Sequence, residues 1–313
     1  MRHLLDLHKN SVEDVSEILG LATKHKDLLL SSIKKTDILR GKSVVTLFYE
    51  PSTRTRMSFE DAGKILGGDV INVSSSGSSI EKGESLLNTG KTIEAMGVNA
   101  IVIRHPHSGA PYLLAKHLKN TSIINAGDGT HAHPTQALLD IFTAIEKIGT
   151  VQRKKLLIVG DILHSRVARS AISGFLKMGA DVCLCGPETL LPQFLPWGKQ
   201  KDAAGQLTVA STLEEGLQNA DIVMALRLQF ERQRSGLIPS IREYISKWQI
   251  TMSNICLASP DVLIMHPGPL NDGIELSSEI AASRHSVIDE QVTNGVAIRM
   301  AILEKLCNRQ DGK

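Results

Sequence analysis

A cluster of hydroxyl and guanidinium side chains directly follows the first strongly apolar run of the sequence. The segment LFYEPSTRTRMSFE places five such residues side by side, namely Ser52, Thr53, Arg54, Thr55 and Arg56. Exposed in water, such a cluster repels itself and gains little. Arranged around an anion, each charged donor contributes on the order of 1.5–3 kcal/mol. The cluster therefore predicts an anion-binding site, although we expect Arg56 to pair with Glu50, Glu60 or Asp61 rather than with a ligand.

Similar side chains follow other apolar runs further along the chain. They are Ser78 and Lys82, Arg104, His133 and Gln136, Arg166, Arg227 and Gln229, and the turn that contains His266, Pro267 and Gly268. In open α/β sheets, ligands bind beyond the carboxyl ends of the strands. Cations, amides and hydroxyls dominate these positions and carboxylates are few. A small, polar and multiply anionic substrate is the interpretation that follows.

The apolar runs themselves indicate the elements that position these groups. They are β-branched and do not alternate with polar residues, which is typical of strands buried on both faces. They span residues 44–48, 70–73, 100–103, 122–125, 156–159, 182–185, 222–226 and 262–265. Segments of helical periodicity separate most of them, and the clearest begins at Pro134 and stops at Gly149. Strand and helix in alternation predict an α/β protein with parallel sheets.

A chain of 313 residues favours two domains over one core. We place the boundary at a connecting helix, residues 135–149, with an open, doubly wound sheet on either side. The first domain comprises residues 1–134 plus 290–313, and the second residues 150–289. The amphipathic tail at 289–307 is assigned to the first domain, although its spacing alone would allow it to pack on either.

Composition excludes several classes of function. A net charge of +2 leaves no broad basic face for nucleic acid. The histidines lack acidic or cysteine partners at metal-ligand spacing, so neither a metal nor another cofactor is expected. No stretch approaches the roughly 18 apolar residues that a membrane-spanning helix needs. The N-terminal residues do not resemble a signal peptide, and the four cysteines match no disulfide framework, so we expect reduced thiols and a cytoplasmic protein.

The residues that follow the strands resemble a known family, the aspartate and ornithine carbamoyltransferases. Ser52-Thr53-Arg54-Thr55-Arg56 is similar to the carbamoyl-phosphate signature of that family, and His133-Pro134-Thr135-Gln136 to its second shared motif. Further matches follow in family order at Lys82-Gly83-Glu84, Arg104, Arg166, Arg227-Leu228-Gln229 and His266-Pro267-Gly268-Pro269. The resemblance covers nearly the whole chain.

The acceptor of the carbamoyl group follows from what replaces the ornithine motif. Ornithine enzymes carry His-Cys-Leu-Pro after the last strand, whereas this chain has Pro267 at the position of the cysteine. Arg166, Arg227 and Gln229 suit the two carboxylates of L-aspartate, because guanidinium groups match carboxylates and would repel the second ammonium group of ornithine. The expected reaction is carbamoyl transfer to L-aspartate, the committed step of de novo pyrimidine biosynthesis.

The resemblance also implies a role for each residue. Carbamoyl phosphate would be bound by Ser52, Thr53, Arg54, Thr55, Ser78, Lys82, Arg104, His133, Gln136, Pro267 and Gly268. L-aspartate would be bound by Lys82, Arg166, Arg227 and Gln229. The groups that act on the reacting atoms would be Arg54, Thr55, Arg104 and His133. No residue forms a triad-like arrangement, so direct attack without a covalent intermediate is expected.

The resemblance further implies a homotrimer in which Ser78 and Lys82 complete the site of a neighbouring subunit. Association with regulatory chains or with a dihydroorotase stays open. Three other functions compete: an ornithine-type carbamoyltransferase, a silent scaffold paralogue, and a dinucleotide-dependent dehydrogenase. The last is disfavoured because the chain has only Gly160 where a G-x-G-x-x-G run is needed.

Overall fold

The structure, a computed structural model, describes residues 1–74, 83–192, 204–228 and 236–308. The chain divides into two compact units, Met1–Leu139 with Thr293–Lys313, and Asp140–Val292. Each unit contains one open parallel sheet flanked by helices, so the predicted fold class is confirmed. Which substrate belongs to which predicted domain stays a prediction.

The sheet of the first unit has the strand order β2-β1-β3-β4, with every neighbouring pair parallel. Its strands are β1 (Ser43–Phe48), β2 (Asp69–Ser74), β3 (Ala100–His105) and β4 (Ser122–Asp128). Because β1 is followed by β2 on one side and β3 lies on the other, the winding direction reverses between β1 and β3. Such a reversal opens a crevice at the carboxyl ends of the two strands, where ligands bind in this class of sheet.

Four of the described helices accompany this sheet, together with parts of two others. They are α1 (Val12–Leu30), α2 (Thr53–Ile65), α3 (Leu86–Ala95), α4 (Ala110–His117), the start of α5 (Pro134–Ile148) and most of α10 (Ile288–Cys307). Leu47, Ile101 and Leu114 are fully buried in its core, and each such side chain contributes about 1.5–3 kcal/mol.

The C-terminal helix α10 packs against the first unit, as expected. The ring nitrogen Nε2 of His25 on α1 lies 2.6 Å from Oε2 of Glu304. Ser122, at the start of β4, donates its hydroxyl to the carbonyl of Leu306 at 3.1 Å. These contacts are buried or partly buried, and they fix the second half of α10 to both α1 and the sheet.

The sheet of the second unit has the order β7-β6-β5-β8-β9 and is also entirely parallel. Its strands are β5 (Lys155–Val159), β6 (Asp181–Cys185), β7 (Leu207–Val209), β8 (Ile222–Ala225) and β9 (Leu263–Met265). The helices are α6 (Arg166–Lys177), α7 (Leu213–Leu217), α8 (Ile241–Trp248) and α9 (Ser278–Ala281). Here the winding reverses between β5 and β8.

Strand β7 is the one strand among the described residues that no apolar run of the sequence predicted. It has three residues, it pairs with β6 at the edge of the sheet, and Thr208 and Val209 are exposed. The buried apolar run that identified the other strands is therefore missing from it.

Two expectations about the chain as a whole can be compared with the structure. The four cysteines carry free thiols, as predicted. Among the described helices, none is both long and apolar enough to cross a membrane.

Candidate active site

The first group of candidate residues lies where β1 leads into α2. Ser52 is the N-cap residue of α2, and its side chain makes no capping hydrogen bond. The first turn contains no acidic residue, and Arg54 lies exposed within it. A helix N-terminus carries a partial positive charge and unpaired N–H groups. The hydroxyls of Ser52 and Thr53, the guanidinium of Arg54 and the helix end thus together favour an anion.

Arg104 is brought to the same edge of the sheet by the pairing of β1 with β3. The register aligns Phe48 with Arg104, and Tyr49 donates its N–H to the carbonyl of Arg104 at 2.9 Å. The guanidinium is mostly buried: its Nη2 donates to Oε1 of Glu50 at 2.8 Å, and its Nη1 to the carbonyl of Ala126 at 3.4 Å. Arg104 is thus held beside the crevice between β1 and β3.

Arg56 was expected to pair with Glu50, Glu60 or Asp61. Of these, Glu50 pairs with Arg104, whose Nη2 lies 2.8 Å from its Oε1. Hydrogen bonds from Lys64 and Asn72 lower the pKa of Glu60, and the charge of Arg56 adds to that effect. Arg56 therefore acts on Glu60, one of its three expected partners. Glu50 itself was not expected beside Arg104, because the two residues are 54 positions apart and meet only through strand pairing.

His133 and Gln136 lie at the start of α5, after a loop that Asp128 organises. The buried carboxylate of Asp128 accepts hydrogen bonds from the N–H of Gly109 at 2.7 Å, the amide of Asn125 at 2.8 Å and the N–H of Ala132 at 3.1 Å. These bonds fix the path of the chain between β4 and His133. Sequence reasoning missed Asp128, although an aspartate between two glycines at a strand end is a turn signal.

His133 is buried, and neighbouring residues of the same turn hold it. The hydroxyl of Thr135 lies 3.4 Å from Nδ1 of His133. The backbone carbonyl of His133 accepts the N–H of Gln136 at 3.1 Å. Gln136 is also buried. It lies three residues after His133, on the first turn of α5. The first unit thus places Thr55 after β1, Arg104 near the end of β3, and His133 and Gln136 after β4. These three strands are consecutive in the sheet.

A second histidine, His105, ends β3 next to Arg104. Burial lowers its pKa, and the nearby His107 adds to this effect. Its Nδ1 accepts the N–H of His107 at 3.0 Å, and its ring lies 4.7 Å from that of Tyr49. The neutral imidazole is therefore the favoured form at this end of the strand.

In the second unit, two arginines follow the strands on either side of the winding reversal. Arg166 is the first residue of α6 after β5, and it is buried. The hydroxyl of Ser165 caps this helix by accepting the N–H of Ala168 at 3.1 Å. Arg227 comes two residues after β8, which pairs directly with β5. The two arginines therefore follow neighbouring strands, one on each side of the winding reversal of the second sheet.

The segment after Arg227 is held by a buried carboxylate. Leu228 donates its N–H to Oε1 of Glu275 at 2.9 Å, and the amide of Asn271 donates to the same oxygen at 2.6 Å. Burial raises the pKa of Glu275, while the hydrogen bonds from Leu228 and Asn271 act in the opposite direction. Glu275 thereby fixes the backbone next to Arg227, a role that no motif in the sequence indicated.

The turn after β9 folds back on its own histidine. The N–H of Gly268 donates to Nδ1 of the buried His266 at 2.8 Å. Gly268 has φ of +64°, which favours glycine, and its peptide bond to Pro269 is cis. Pro267 and Gly268 are partly exposed. Their carbonyl groups lie on a turn whose backbone is held by the buried side chain of His266.

Three predicted site residues, Ser78, Lys82 and Gln229, lie outside the described residues. Across the ranges that the structure does describe, no three histidine, cysteine, aspartate or glutamate side chains are grouped in a way that could hold a metal ion.

Comparison with known proteins gives consistent matches over the chain. Residues 2–146 match the family model described as "Aspartate/ornithine carbamoyltransferase, carbamoyl-P binding domain", and residues 152–306 match "Aspartate/ornithine carbamoyltransferase, Asp/Orn binding domain". The aspartate carbamoyltransferase catalytic subunit of Roseiflexus castenholzii is 52% identical over 97% of this chain and 95% of that protein.

Solved structures of the same kind are similar in fold. The ornithine carbamoyltransferase from Pyrococcus furiosus has a TM-score of 0.88 and 29% identity, over 96% of each chain. The aspartate transcarbamoylase from Trypanosoma cruzi in complex with carbamoyl phosphate and aspartate has a TM-score of 0.86 and 29% identity, over 97% of this chain and 96% of that one.

Proposed function

The chain belongs to the aspartate/ornithine carbamoyltransferase family, and we propose that it transfers the carbamoyl group of carbamoyl phosphate to the α-amino group of L-aspartate. The products are N-carbamoyl-L-aspartate and phosphate, and the reaction is the committed step of de novo pyrimidine biosynthesis. The high identity to an aspartate carbamoyltransferase catalytic subunit supports aspartate, rather than ornithine, as the acceptor.

The single observation that carries the choice of acceptor is the pair of arginines at the winding reversal of the second sheet. Arg166 follows β5 and Arg227 follows β8, and these strands are hydrogen-bonded neighbours. Two guanidinium groups at one crevice match a dicarboxylate, because each can form a forked pair of hydrogen bonds with a carboxylate. We assign Arg166 and Arg227 to the aspartate carboxylates, together with Gln229 and Lys82.

Carbamoyl phosphate is assigned to the residues of the first unit. Its phosphate would lie at the N-terminus of α2, held by Ser52, Thr53, Thr55 and Arg54. The carbonyl oxygen would face Thr55, Arg104 and His133, which stabilise the negative charge that develops on it. Gln136 would accept a hydrogen bond from the carbamoyl NH₂ group, as would the carbonyls of Pro267 and Gly268. Ser78 and Lys82 complete this set.

The reaction then proceeds by direct attack. The amine nitrogen of aspartate forms a bond to the carbonyl carbon, and the tetrahedral intermediate collapses as the bond from carbon to the phosphate oxygen breaks. The amine proton passes to the departing phosphate. This proton transfer therefore requires no basic side chain of the protein. Arg54 stabilises the charge that accumulates on that phosphate. Most of the acceleration comes from positioning the two substrates and from preset positive charge.

The domain assignment and the assembly belong to the same proposal. Residues 1–134 plus 290–313 bind carbamoyl phosphate, residues 150–289 bind aspartate, and residues 135–149 connect them. Three chains form a cytoplasmic homotrimer in which Ser78 and Lys82 of one chain complete the site of the next. Mixing an Arg54→Ala chain with a Lys82→Ala chain should restore part of the activity, whereas mixed trimers that stay inactive contradict shared sites.

The deciding experiment compares two acceptors with the purified chain alone. Carbamoyl phosphate is supplied with L-aspartate or with L-ornithine, and both products are quantified. N-carbamoyl-L-aspartate as the sole product supports the proposal. Citrulline would indicate the ornithine-type alternative. No product from either acceptor would favour the scaffold alternative, or dependence on an additional chain such as a regulatory subunit or a dihydroorotase.

A further inference from the structure

Three buried side chains of the second unit connect α5 and α10 to the turn after β9. The side-chain amide of Gln291, on the first turn of α10, donates from Nε2 to Oδ1 of Asp140 on α5 at 2.8 Å. Its Oε1 accepts the N–H of His266 at 3.0 Å. His266 in turn accepts the N–H of Gly268 on its Nδ1 at 2.8 Å. One continuous series of hydrogen bonds therefore runs from α5 to Gly268.

Burial makes each step of this series costly to break. Asp140, Gln291 and His266 are 0%, 3% and 2% exposed. A buried polar group that loses its partner bears the full cost of its desolvation. The orientation of the amide is also determined, because the N–H of His266 can only donate and therefore requires the oxygen of Gln291. The nitrogen of Gln291 is then left to face Asp140.

We propose that Gln291 is a positioning residue for carbamoyl transfer. By holding the backbone of His266, it sets the place of the Pro267 and Gly268 carbonyls that receive the carbamoyl NH₂ group. This inference rests on the proposed function, which assigns those carbonyls to the substrate. Gln291 itself touches neither substrate and acts through the turn.

The first test replaces Gln291 with methionine, which has a similar length but cannot form either hydrogen bond. Misplacing a substrate-orienting group by about 1 Å can cost on the order of 100-fold in rate. We expect kcat of Gln291→Met to fall by about 10- to 100-fold. The KM for aspartate should change by less than about threefold, because Arg166 and Arg227 are held by other elements.

Loss of stability alone must be distinguished from misplacement of the turn. Leu217 on α7 is fully buried in the core of the same unit and takes no part in the series of hydrogen bonds that runs through Gln291. Leu217→Ala is therefore the matched control, because it weakens the unit elsewhere. Suppose that Leu217→Ala shows a similar decrease in melting temperature but keeps its kcat. The decrease in kcat of Gln291→Met is then caused by displacement of the turn and not by loss of stability.

A second variant gives a readout that a purely structural role would not move. In Gln291→Glu, the new carboxyl can donate to Asp140 only when it carries a proton. The titratable groups around it are Asp140 on α5, His266 after β9, and Glu290 on its own helix, which pairs with Lys147. Like charge and burial keep a proton on such a pair to higher pH than usual. The ratio of Gln291→Glu activity to wild-type activity should therefore rise as the pH falls.

The outcomes separate this inference from the proposed function. Wild-type activity with carbamoyl phosphate and aspartate tests the function on its own. If the wild type is active and Gln291→Met keeps its kcat within about twofold, the inference is overturned. A kcat that falls equally in Leu217→Ala, or a Gln291→Glu profile parallel to that of the wild type, also contradicts it.

Discussion

Arg54 and Arg56 are two identical side chains, two residues apart on α2. The proposed function predicts that removing the first lowers kcat strongly and that removing the second does not. Arg54 is exposed, and among the described residues no carboxylate pairs with it. Arg56 acts on Glu60. Truncation of an exposed side chain without specific contacts changes the free energy of unfolding by less than about 0.5 kcal/mol. Arg54→Ala should therefore fold as the wild type does.

The effect on catalysis should be much larger. Arg54 is assigned to the charge that builds on the departing phosphate, so its contact strengthens in the transition state. Removing one such preset donor costs about 2.7–4 kcal/mol, which corresponds to a factor of about 10²–10³ in kcat. Arg56→Ala should keep kcat within about threefold, because the charge of Arg56 acts on Glu60 and the proposed function assigns Arg56 no contact with a substrate.

The assay is the initial rate of N-carbamoyl-L-aspartate formation, with each substrate varied in turn. Melting temperatures of both variants serve as the control for folding. Equal losses of kcat in the two variants would refute the reasoning, because a general loss of positive charge would then explain both. An Arg54→Ala enzyme within threefold of the wild type would refute it as well.

Three further predictions follow from the described contacts. Arg166→Ala should raise the KM for aspartate at least tenfold, because a charged hydrogen bond to a carboxylate contributes about 1.5–3 kcal/mol. The KM for carbamoyl phosphate should change less. Equal changes in both constants would contradict the assignment of Arg166 to aspartate. Gly160→Ala should lower the melting temperature, because its φ is +120° and a Cβ there would lie 3.0 Å from the carbonyl oxygen of Leu226; an unchanged melting temperature would contradict this. His105→Gln should flatten the pH dependence of the free energy of unfolding at pH values below about 6.5, the ordinary pKa of histidine. Burial lowers the pKa of His105, so the unfolded chain binds the proton more readily than the folded chain and stability is lost as the pH falls. An unchanged slope in thermal melts would contradict this.

The sequence was most informative where one signal acts locally. Pro134 and Gly149 bound α5 because proline suits a first helical turn and glycine a left-handed stop. The apolar runs identified eight of the nine described strands because burial on both faces leaves a continuous pattern. Strand β7 was not predicted, because this short strand lies at the edge of the sheet, where its exposed residues need not be apolar.

Long-range partners could not be predicted in this way. Glu50 meets Arg104 because β1 pairs with β3, and Glu275 meets Leu228 although they are 47 positions apart. Nothing in the local pattern of either carboxylate specifies these partners. For the same reason the sequence identified the ligand-facing candidates at strand ends, but not Asp128, Glu275 and Gln291, which hold the backbone beneath them.

The discontinuous first unit has a consequence for synthesis on the ribosome. Its sheet and first helices are complete once Leu139 has been made, but the segment of α10 that packs on α1 and β4 begins at Thr293. The ribosome must add the whole of Asp140–Val292 in between, which at about 5–20 residues per second takes on the order of 10–30 seconds. During that interval the surface that α10 later covers, including His25 and the start of β4, is open to water and to chaperones, while the second unit can already fold behind it.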